Sequence, residues 1–233
     1  MIISGLQKLT LIDYPNKVAC VVFTLGCNLR CRFCHNPEFV LPEKIRAIQD
    51  QILREKSFFD FLESRRGLLD GVSVCGGEPT IHSDLPRFLR EIKKRGFLVK
   101  LDTNGRYPLV LQKILDEKLV DYIAMDIKHT WGKYHLLTWV TEDMASYRES
   151  IKIIMIQAPE YEFRTTVIRG IHTTWDIQAM AKQLRGAKKY VLQNYRSGEV
   201  LEYDFPGTSF SISELVHLQS IVKEEVMDCT IRQ

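Results

Sequence analysis

Three cysteines stand close together near the start of the chain, at Cys27, Cys31 and Cys34, in the run GCNLRCRFCHNP. The spacing is C-x3-C-x2-C, and no fourth cysteine lies nearby in the sequence. Thiolates are the usual ligands of iron–sulfur clusters, and a four-iron cluster has four metal corners to fill. Three cysteines therefore predict a cluster with one open iron, which can bind a substrate as the open position of a catalytic zinc does.

Two other uses of these cysteines compete with the cluster. A disulfide is disfavoured because the first residues do not resemble a secretory signal, and thiols of cytoplasmic proteins stay reduced. A structural zinc site is the stronger alternative, with His35 as the nearest candidate for a fourth ligand. Residues 34 and 35 are adjacent, however, so their side chains diverge if the backbone is extended. The spacing favours the iron–sulfur cluster over zinc.

The composition is that of an ordinary globular protein. The chain has 233 residues, and we expect one domain over residues 1–233. Hydrophobic residues are 45% and charged residues 26%, and the net charge of +3 is too small to indicate binding to nucleic acid or to a membrane surface. No apolar run reaches the roughly 18 residues that cross a membrane. These features predict a cytoplasmic protein.

The remaining cysteines show no second group. Cys20 and Cys75 lie in apolar, strand-like runs and are predicted to be small buried side chains. Cys229 is isolated near the end of the sequence. An auxiliary cluster is therefore not expected.

Strand-like and helix-like segments alternate along the chain, which favours a parallel sheet wrapped by helices. The predicted strands are residues 18–26, 71–75, 97–103, 121–128, 161–168 and 189–193. Helices are predicted around residues 45–66, 85–95, 108–115, 144–157, 177–184 and 211–226. Six strand–helix units are fewer than the eight that close a full barrel, so the pattern predicts an α/β fold with a partial, open barrel.

Polar runs follow three of these strands, at the end where α/β barrels place their active sites. They are GGEP, DTNG and MDIK. Residues two apart in a strand share a face, so Asp102 and Asn104 point the same way if the strand extends that far, as do Asp126 and Lys128. Each run alone would also suit an ordinary turn or a paired Asp and Lys at the rim. Their order, each after its own strand, favours one shared site.

With Phe33 the cysteines complete the pattern C-x3-C-x-aromatic-C, which resembles the radical S-adenosylmethionine (radical SAM) superfamily. The resemblance implies a [4Fe–4S] cluster on Cys27, Cys31 and Cys34, with S-adenosylmethionine (SAM) as the second cofactor. It also implies a partial (β/α)6, TIM-like barrel as the radical SAM core. Reductive cleavage of SAM would generate a radical that takes one hydrogen atom from the substrate, so no protein acid or base is required.

The same resemblance implies contacts to SAM. Gly76, Gly77 and Glu78 match the GGE motif that holds the methionine amine. Asp126 and Lys128 match the D-x-K motif of glycyl-radical activating enzymes, with Lys128 directed to the SAM carboxylate.

Further SAM contacts are implied around these motifs. Phe33 would lie against the adenine, and Asn36 would be a neighbour of the cluster and SAM. Asp102 and Asn104 match positions that contact the ribose or the methionine end, and Arg164 matches an arginine of the fifth strand.

Runs outside the site narrow the resemblance to one group. They are GLQKLTLIDYP before the first strand, CHNPEFV, GGEPT and FRTTVIRG. The whole pattern is similar to the short activating proteins of anaerobic ribonucleoside-triphosphate reductase, and more distantly to pyruvate formate-lyase activating enzyme. It implies a glycyl-radical enzyme as partner, from which the radical would take a hydrogen atom at a backbone glycine. It also implies a low-potential electron donor such as flavodoxin or ferredoxin.

One feature departs from the resemblance. Pyruvate formate-lyase activases carry a histidine near SAM on the last barrel strand, where this chain has VLQNYR, with Asn194 or Tyr195 near that place. His172, in the run GIHTT, is an alternative substitute, although a lone loop histidine is more often a surface residue. Two other functions remain open: a radical SAM enzyme of a small molecule such as a deazaguanine precursor, and a non-enzymatic iron–sulfur or zinc module.

Overall fold

The computed structural model describes residues 1–139 and 144–233. Eight strands form one sheet in chain order. They are β1 (Ile3–Thr10), β2 (Ala19–Thr24), β3 (Gly71–Gly76), β4 (Leu98–Thr103), β5 (Tyr122–Asp126), β6 (Tyr161–Val167), β7 (Tyr190–Asn194) and β8 (Cys229–Arg232). Strands β2 to β8 are parallel to one another, and β1 is antiparallel to β2. Within the described ranges β1 and β8 do not pair, so the sheet is open.

Helices follow the parallel strands. They are α1 (Pro42–Ala47), α2 (Glu55–Glu63), α3 (Leu85–Lys94), α4 (Pro108–Asp116), α5 (His135–Thr138), α6 (Ala145–Gln157), α7 (Thr174–Gln183) and α8 (Ile212–Val222), with 3-10 turns at Pro37–Phe39, Gln49–Gln51, Pro79–Ile81 and Trp131–Lys133. The predicted capping box of Ser211 and Glu214 begins α8, and a second one of Thr173 and Asp176 begins α7. No helix in the described part of the chain is long and apolar enough to cross a bilayer.

The predicted α/β class is confirmed, and the six predicted strands correspond to β2–β7. Two edge strands, β1 and β8, were not predicted, because an edge strand pairs on one side only and carries a weak alternation pattern. The predicted helix at 45–66 is wrong in its continuity. Ile52 is extended and Leu53 donates a backbone hydrogen bond to Ile3 of β1 (2.9 Å), so the segment divides into α1 and α2.

The two faces of the sheet differ in chemistry. The face toward the helices is apolar, and Val74, Leu101 and Met125 on neighbouring strands are completely buried there. On the inner face Tyr14 and Tyr122 pack together at the end where the parallel strands begin. These rings fill the inner face at that end. Space for a site lies at the opposite end, where the parallel strands finish.

Candidate functional site

A cavity of about 300 Å3 opens where strands β3 to β7 end, a size within the range of small-molecule sites. All the residues that the sequence analysis assigned to the cluster and to the SAM contacts line it: Cys27, Cys31, Phe33, Cys34, Asn36, Gly76, Gly77, Glu78, Asp102, Asn104, Asp126, Lys128 and Arg164. The other lining residues are Leu29, His35, Val40, Cys75, Thr103, Thr166 and Gln193. Parallel strands bring their carboxyl ends to one edge, so segments far apart in the chain meet here.

The three cysteines lie in a tight loop that follows β2, which we call the cysteine loop (residues 27–34). The loop begins after Gly26, whose φ of +90° suits glycine, and the Cys34 amide donates to the Cys31 carbonyl at 3.0 Å. Burial raises the pKa of Cys27 to about 11 and of Cys31 to about 12, and it also raises the pKa of Cys34. Neutral thiols at this site need the positive charge of a metal to become thiolates, as an iron cluster provides.

The geometry does not favour the zinc alternative. A structural zinc draws its ligands to about 2.3 Å or less from one point. Within residues 1–139 and 144–233, no three His, Cys, Asp or Glu side chains are arranged to hold a single ion. His35, the proposed fourth ligand, is exposed and stacks on Tyr195 with ring centroids 5.6 Å apart. A cluster fits these cysteines better because each thiolate binds a different iron.

The other cysteines divide between the core and the cavity. Cys20 is completely buried, as predicted, and Cys229 is buried as well. Cys75 differs from the prediction, because it is only partly buried and lines the cavity. The alternation along β3 explains this, since Val72 and Val74 face the helices and Cys75 therefore faces inward.

The glycines of GGEP permit a close approach between the end of β3 and the start of the cysteine loop. A Cβ atom on Gly77 would lie 1.9 Å from the carbonyl oxygen of Gly26, and one on Gly76 would lie 2.3 Å from the amide nitrogen of Thr24. The Gly77 amide donates to the Thr24 carbonyl (2.9 Å), and the Glu78 amide donates to that of Gly26 (2.8 Å). Gly76 and Gly77 are therefore required by the packing of the protein backbone itself, independently of any ligand.

The Glu78 carboxylate is directed into the protein and is almost completely buried. Its Oε1 accepts hydrogen bonds from the Thr80 amide (3.0 Å), the Thr80 hydroxyl and the Thr103 hydroxyl (2.8 Å). Its Oε2 accepts from the Asn104 amide at 2.6 Å. Burial raises the pKa of Glu78, and these hydrogen bonds act against that rise. The carboxylate thus holds the ends of β3 and β4 together.

A row of charged side chains crosses the floor of the cavity. Arg164 donates from Nε to Asp126 Oδ1 (2.6 Å) and from Nη1 to Asp102 Oδ2 (3.1 Å). Lys128 Nζ lies 2.8 Å from Asp126 Oδ2, and the buried Lys100 ammonium pairs with Asp102. The charged groups that line the cavity are thus two cations, Lys128 and Arg164, and three carboxyl groups, Glu78, Asp102 and Asp126, while Lys100 supports Asp102 from outside the lining.

The pKa values of Asp126 and Lys128 are set by the charged side chains beside them. Burial by itself would raise the pKa of Asp126, but Arg164 and Lys128 outweigh it and hold that pKa well below its usual range. Burial would likewise lower the pKa of Lys128, yet Asp126 keeps it above its ordinary value. Asp126 and Lys128 therefore stay charged at neutral pH.

The surroundings of Phe33 and Asn104 differ from those predicted for them. The Phe33 ring is almost completely buried against Phe205 (6.2 Å between centroids), and Lys128 Nζ lies 5.6 Å from the Phe33 ring centre. Strand β4 ends before Asn104, so Asn104 does not share a strand face with Asp102. Asn104 instead donates from Nδ2 to Asn28 Oδ1 (2.8 Å), which joins the β4 end to the cysteine loop.

None of the three named candidates for the missing last-strand histidine lines the cavity. Asn194 is engaged with the backbone of Phe210, both as donor and acceptor at 2.9 Å. His172 is buried and does not lie on the surface. Its Nδ1 accepts a hydrogen bond from the Ile168 amide (3.0 Å), and its Nε2 donates one to the Lys128 carbonyl (2.9 Å).

Gln193 and Thr166 occupy the inward positions instead, and they pair in register across β6 and β7. Because Arg164 already faces inward, a two-residue step along β6 leads to Thr166. The alternation of the strands was the signal that could have identified both residues.

The chain matches the radical SAM superfamily over residues 21–185. It is 32% identical to a protein of Methanocaldococcus jannaschii assigned as a glycyl-radical enzyme activating enzyme, over 99% of this chain and 95% of that one. It is 31% identical to the pyruvate formate-lyase-activating enzyme of Staphylococcus aureus, over 57% of this chain and 55% of that one. Streptococcus suis SuiB bound to S-adenosylmethionine has a similar fold (TM-score 0.68, 15% identity), and the match covers 91% of this chain and 52% of SuiB.

These matches, together with the open parallel sheet and the three cysteines in its cavity, show that the chain belongs to the radical SAM superfamily and, within it, to the glycyl-radical enzyme activating enzymes. The resemblance stated from the sequence is confirmed. Radical SAM enzymes use a [4Fe–4S] cluster and SAM, so the chain is an enzyme of this kind.

Proposed function

We propose that this enzyme cleaves SAM at a [4Fe–4S] cluster and takes a hydrogen atom from a backbone glycine of a partner enzyme, anaerobic ribonucleotide reductase. The observation that carries the proposal is the cavity itself, because three cysteines share it with the paired charges of Lys128, Arg164, Asp102 and Asp126, which could bind the charged groups of SAM. The cluster and SAM together would supply the electron transfer and the radical chemistry.

Different residues of the cavity would hold the cluster and SAM. Cys27, Cys31 and Cys34 would hold three irons of the cluster and leave the fourth available to SAM. Lys128 would contact the SAM carboxylate, since it lines the cavity and its ammonium has donors beyond the one directed at Asp126. The backbone around Gly77 would receive the methionine amine, while the hydrogen bonds of Glu78 keep that backbone in place.

The remaining predicted contacts complete the SAM site. Arg164 maintains the orientation of Asp102 and Asp126, and it lines the cavity beside them. Phe33, Asn36 and Asn104 line the part of the wall nearest the cysteine loop, which is where adenosine would lie. An electron donor of low potential, flavodoxin or ferredoxin, supplies the electron.

The test is a radical transfer assay. The anaerobically reconstituted protein, SAM and a chemical reductant are mixed with candidate glycyl-radical enzymes, and the glycyl radical is detected by electron paramagnetic resonance. We expect a signal with anaerobic ribonucleotide reductase, and none with a partner whose target glycine is replaced by alanine. The Cys31→Ala variant is the matched control.

A radical on another glycyl-radical enzyme, with none on the reductase, would contradict the proposed partner and leave the chemistry standing. SAM cleavage without a radical on any partner would favour a small-molecule substrate. Failure to bind iron or to cleave SAM would overturn the site assignment itself.

A further inference from the structure

Arg32 lies inside the cysteine loop, between Cys31 and Phe33, and its contacts leave the loop in two directions. On one side is the α5 segment (residues 131–139), and on the other is the β7–α8 segment (residues 195–205). Both segments lie at the same end of the sheet as the cavity. No sequence motif singled out Arg32, because its partners are about 100 and 170 residues away.

The α5 segment accepts hydrogen bonds from the loop. The Arg32 amide donates to the Leu137 carbonyl at 2.9 Å, and the Arg32 guanidinium donates from Nη1 to the Leu136 carbonyl at 3.3 Å. The neighbouring amide of Arg30 donates to the Thr138 carbonyl at 3.4 Å. One side of the loop is thus held through both the backbone and the side chain of Arg32.

The β7–α8 segment holds the opposite side. The Glu202 amide donates to the Arg32 carbonyl (3.0 Å), and the Leu201 amide donates to the Cys34 carbonyl (2.9 Å). The Arg32 guanidinium binds the Glu202 carboxylate with two nitrogens, Nη2 at 2.6 Å from Oε1 and Nε to Oε2. It also lies 5.6 Å from the ring centre of Phe205, which packs on Phe33.

We propose that Arg32 is the positioning residue of the cysteine loop: it joins the loop to the α5 and β7–α8 segments and so holds the three cysteines in place around the cluster. The inference rests on the proposed function, because it takes these cysteines as the cluster ligands. A cluster with three protein ligands has one tether fewer than a cluster with four, so its retention depends more on how firmly the loop is held. Lysine cannot replace Arg32, since a single ammonium cannot match the two-point geometry on Glu202 and also reach Leu136.

The alternative is that the pair of Arg32 and Glu202 contributes only to general stability. Arg87 offers a matched control on α3, because it binds Glu55 with two nitrogens at 2.9 and 2.6 Å and does not line the cavity. The experiment measures the rate at which an iron chelator removes iron from the reconstituted protein, well below the melting temperature. Melting of the apoprotein is measured in parallel for Arg32→Ala, Arg32→Lys, Glu202→Gln and Arg87→Ala.

We expect Arg32→Ala to release iron roughly ten- to a hundred-fold faster than the wild type, as the loss of a charge-assisted, two-point contact implies. Arg32→Lys should resemble Arg32→Ala, and Glu202→Gln should fall between them and the wild type. Arg87→Ala should release iron at the wild-type rate. The SAM-induced change in the paramagnetic resonance spectrum of the reduced cluster should weaken in the Arg32 variants, to a lesser degree in Glu202→Gln, and not in Arg87→Ala.

Wild-type rates of iron release in Arg32→Ala and Glu202→Gln would overturn the inference, as would equal acceleration in Arg87→Ala. If Arg32→Ala does not fold, Glu202→Gln decides the matter, because it preserves the backbone contacts of the loop. Normal iron binding by Cys31→Ala would instead refute the cluster assignment, which separates failure of the proposed function from failure of this inference.

Discussion

Replacing Lys128 by methionine should weaken SAM binding far more than it weakens the fold. The Lys128 side chain is only 13% exposed, and its ammonium lies 2.8 Å from Asp126 inside the cavity. If it contacts the SAM carboxylate, its loss removes one charge-assisted hydrogen bond, which costs about 1.5–3 kcal/mol, or roughly ten- to a hundred-fold in affinity. Methionine keeps an apolar side chain of similar length, but it removes the ammonium that lies 5.6 Å from the Phe33 ring centre.

The cost to folding should be smaller because Asp126 keeps a second partner. Arg164 holds Asp126 Oδ1 at 2.6 Å whether or not Lys128 is present. The carboxylate is therefore never left unpaired, which is the condition that makes a broken buried pair cost about 3–5 kcal/mol. We expect Lys128→Met to lower the free energy of unfolding by only about 1–2 kcal/mol, the order of one hydrogen bond.

The assay titrates SAM into the anaerobically reconstituted variant and records a melting curve of the apoprotein beside it. Lys93→Met is the control, since Lys93 pairs with Asp121 at 2.6 and 2.7 Å and does not line the cavity. The control should keep the wild-type affinity for SAM. A lowered melting temperature in Lys128→Met with unchanged SAM affinity would refute the binding role and leave Lys128 as the counter-ion of Asp126.

Replacing Cys27, Cys31 or Cys34 by alanine should abolish SAM cleavage. Replacing Cys20, Cys75 or Cys229 by serine should leave about four irons per chain. A loss of iron in the Cys75 variant would show that Cys75 is a ligand as well. Gly77→Ala should lower the melting temperature of the apoprotein because its Cβ would meet the Gly26 carbonyl oxygen, whereas Gly132→Ala, with no neighbour within 4 Å, should not. Burial lowers the pKa of His129 to about 4 and lowers that of His172 as well, so the unfolded chain binds more protons below about pH 6.5. The stability that these two histidines contribute should therefore be present in full above that pH and be lost as the pH falls through their lowered pKa values, about 4 for His129, with a slope of up to about 1.4 kcal/mol per pH unit from His129. The double variant His129→Gln/His172→Gln should show a flatter slope in urea unfolding, and a slope equal to that of the wild type would contradict the assignment.

Local sequence signals, with the family resemblance, were sufficient for the fold class and for 13 of the 20 residues that line the cavity. Strands β2 to β7 carry apolar runs of strand length separated by helix signals, and such patterns report burial directly. The cysteine spacing, GGEP, DTNG and MDIK each follow a strand, and parallel strands must bring those ends to one edge. Every residue chosen on this basis lines the cavity.

The roles of individual side chains depend on partners that the sequence does not place. Glu78 fits a ligand-binding motif, yet its carboxylate is occupied by Thr80, Thr103 and Asn104, which only the packing of β3 against β4 brings to it. His172 belongs to a loop in sequence, and the fold buries it against the Lys128 carbonyl, 44 residues away. Loop position and strand register decide these pairings, and neither follows from the residues on one side of a contact.

The sequence by itself thus determined which chemistry is present: three thiols, a set of charged and polar residues at the strand ends, and a parallel sheet that brings them together. The tertiary structure decided which groups remain available for a ligand, because a buried polar group must find a partner and takes the nearest one. Lys128 lines the cavity, whereas Asn194 is used by the protein itself. Arg32 is the plainest case, since its significance arises from Leu137 and Glu202, which are distant in sequence and adjacent only in the folded chain.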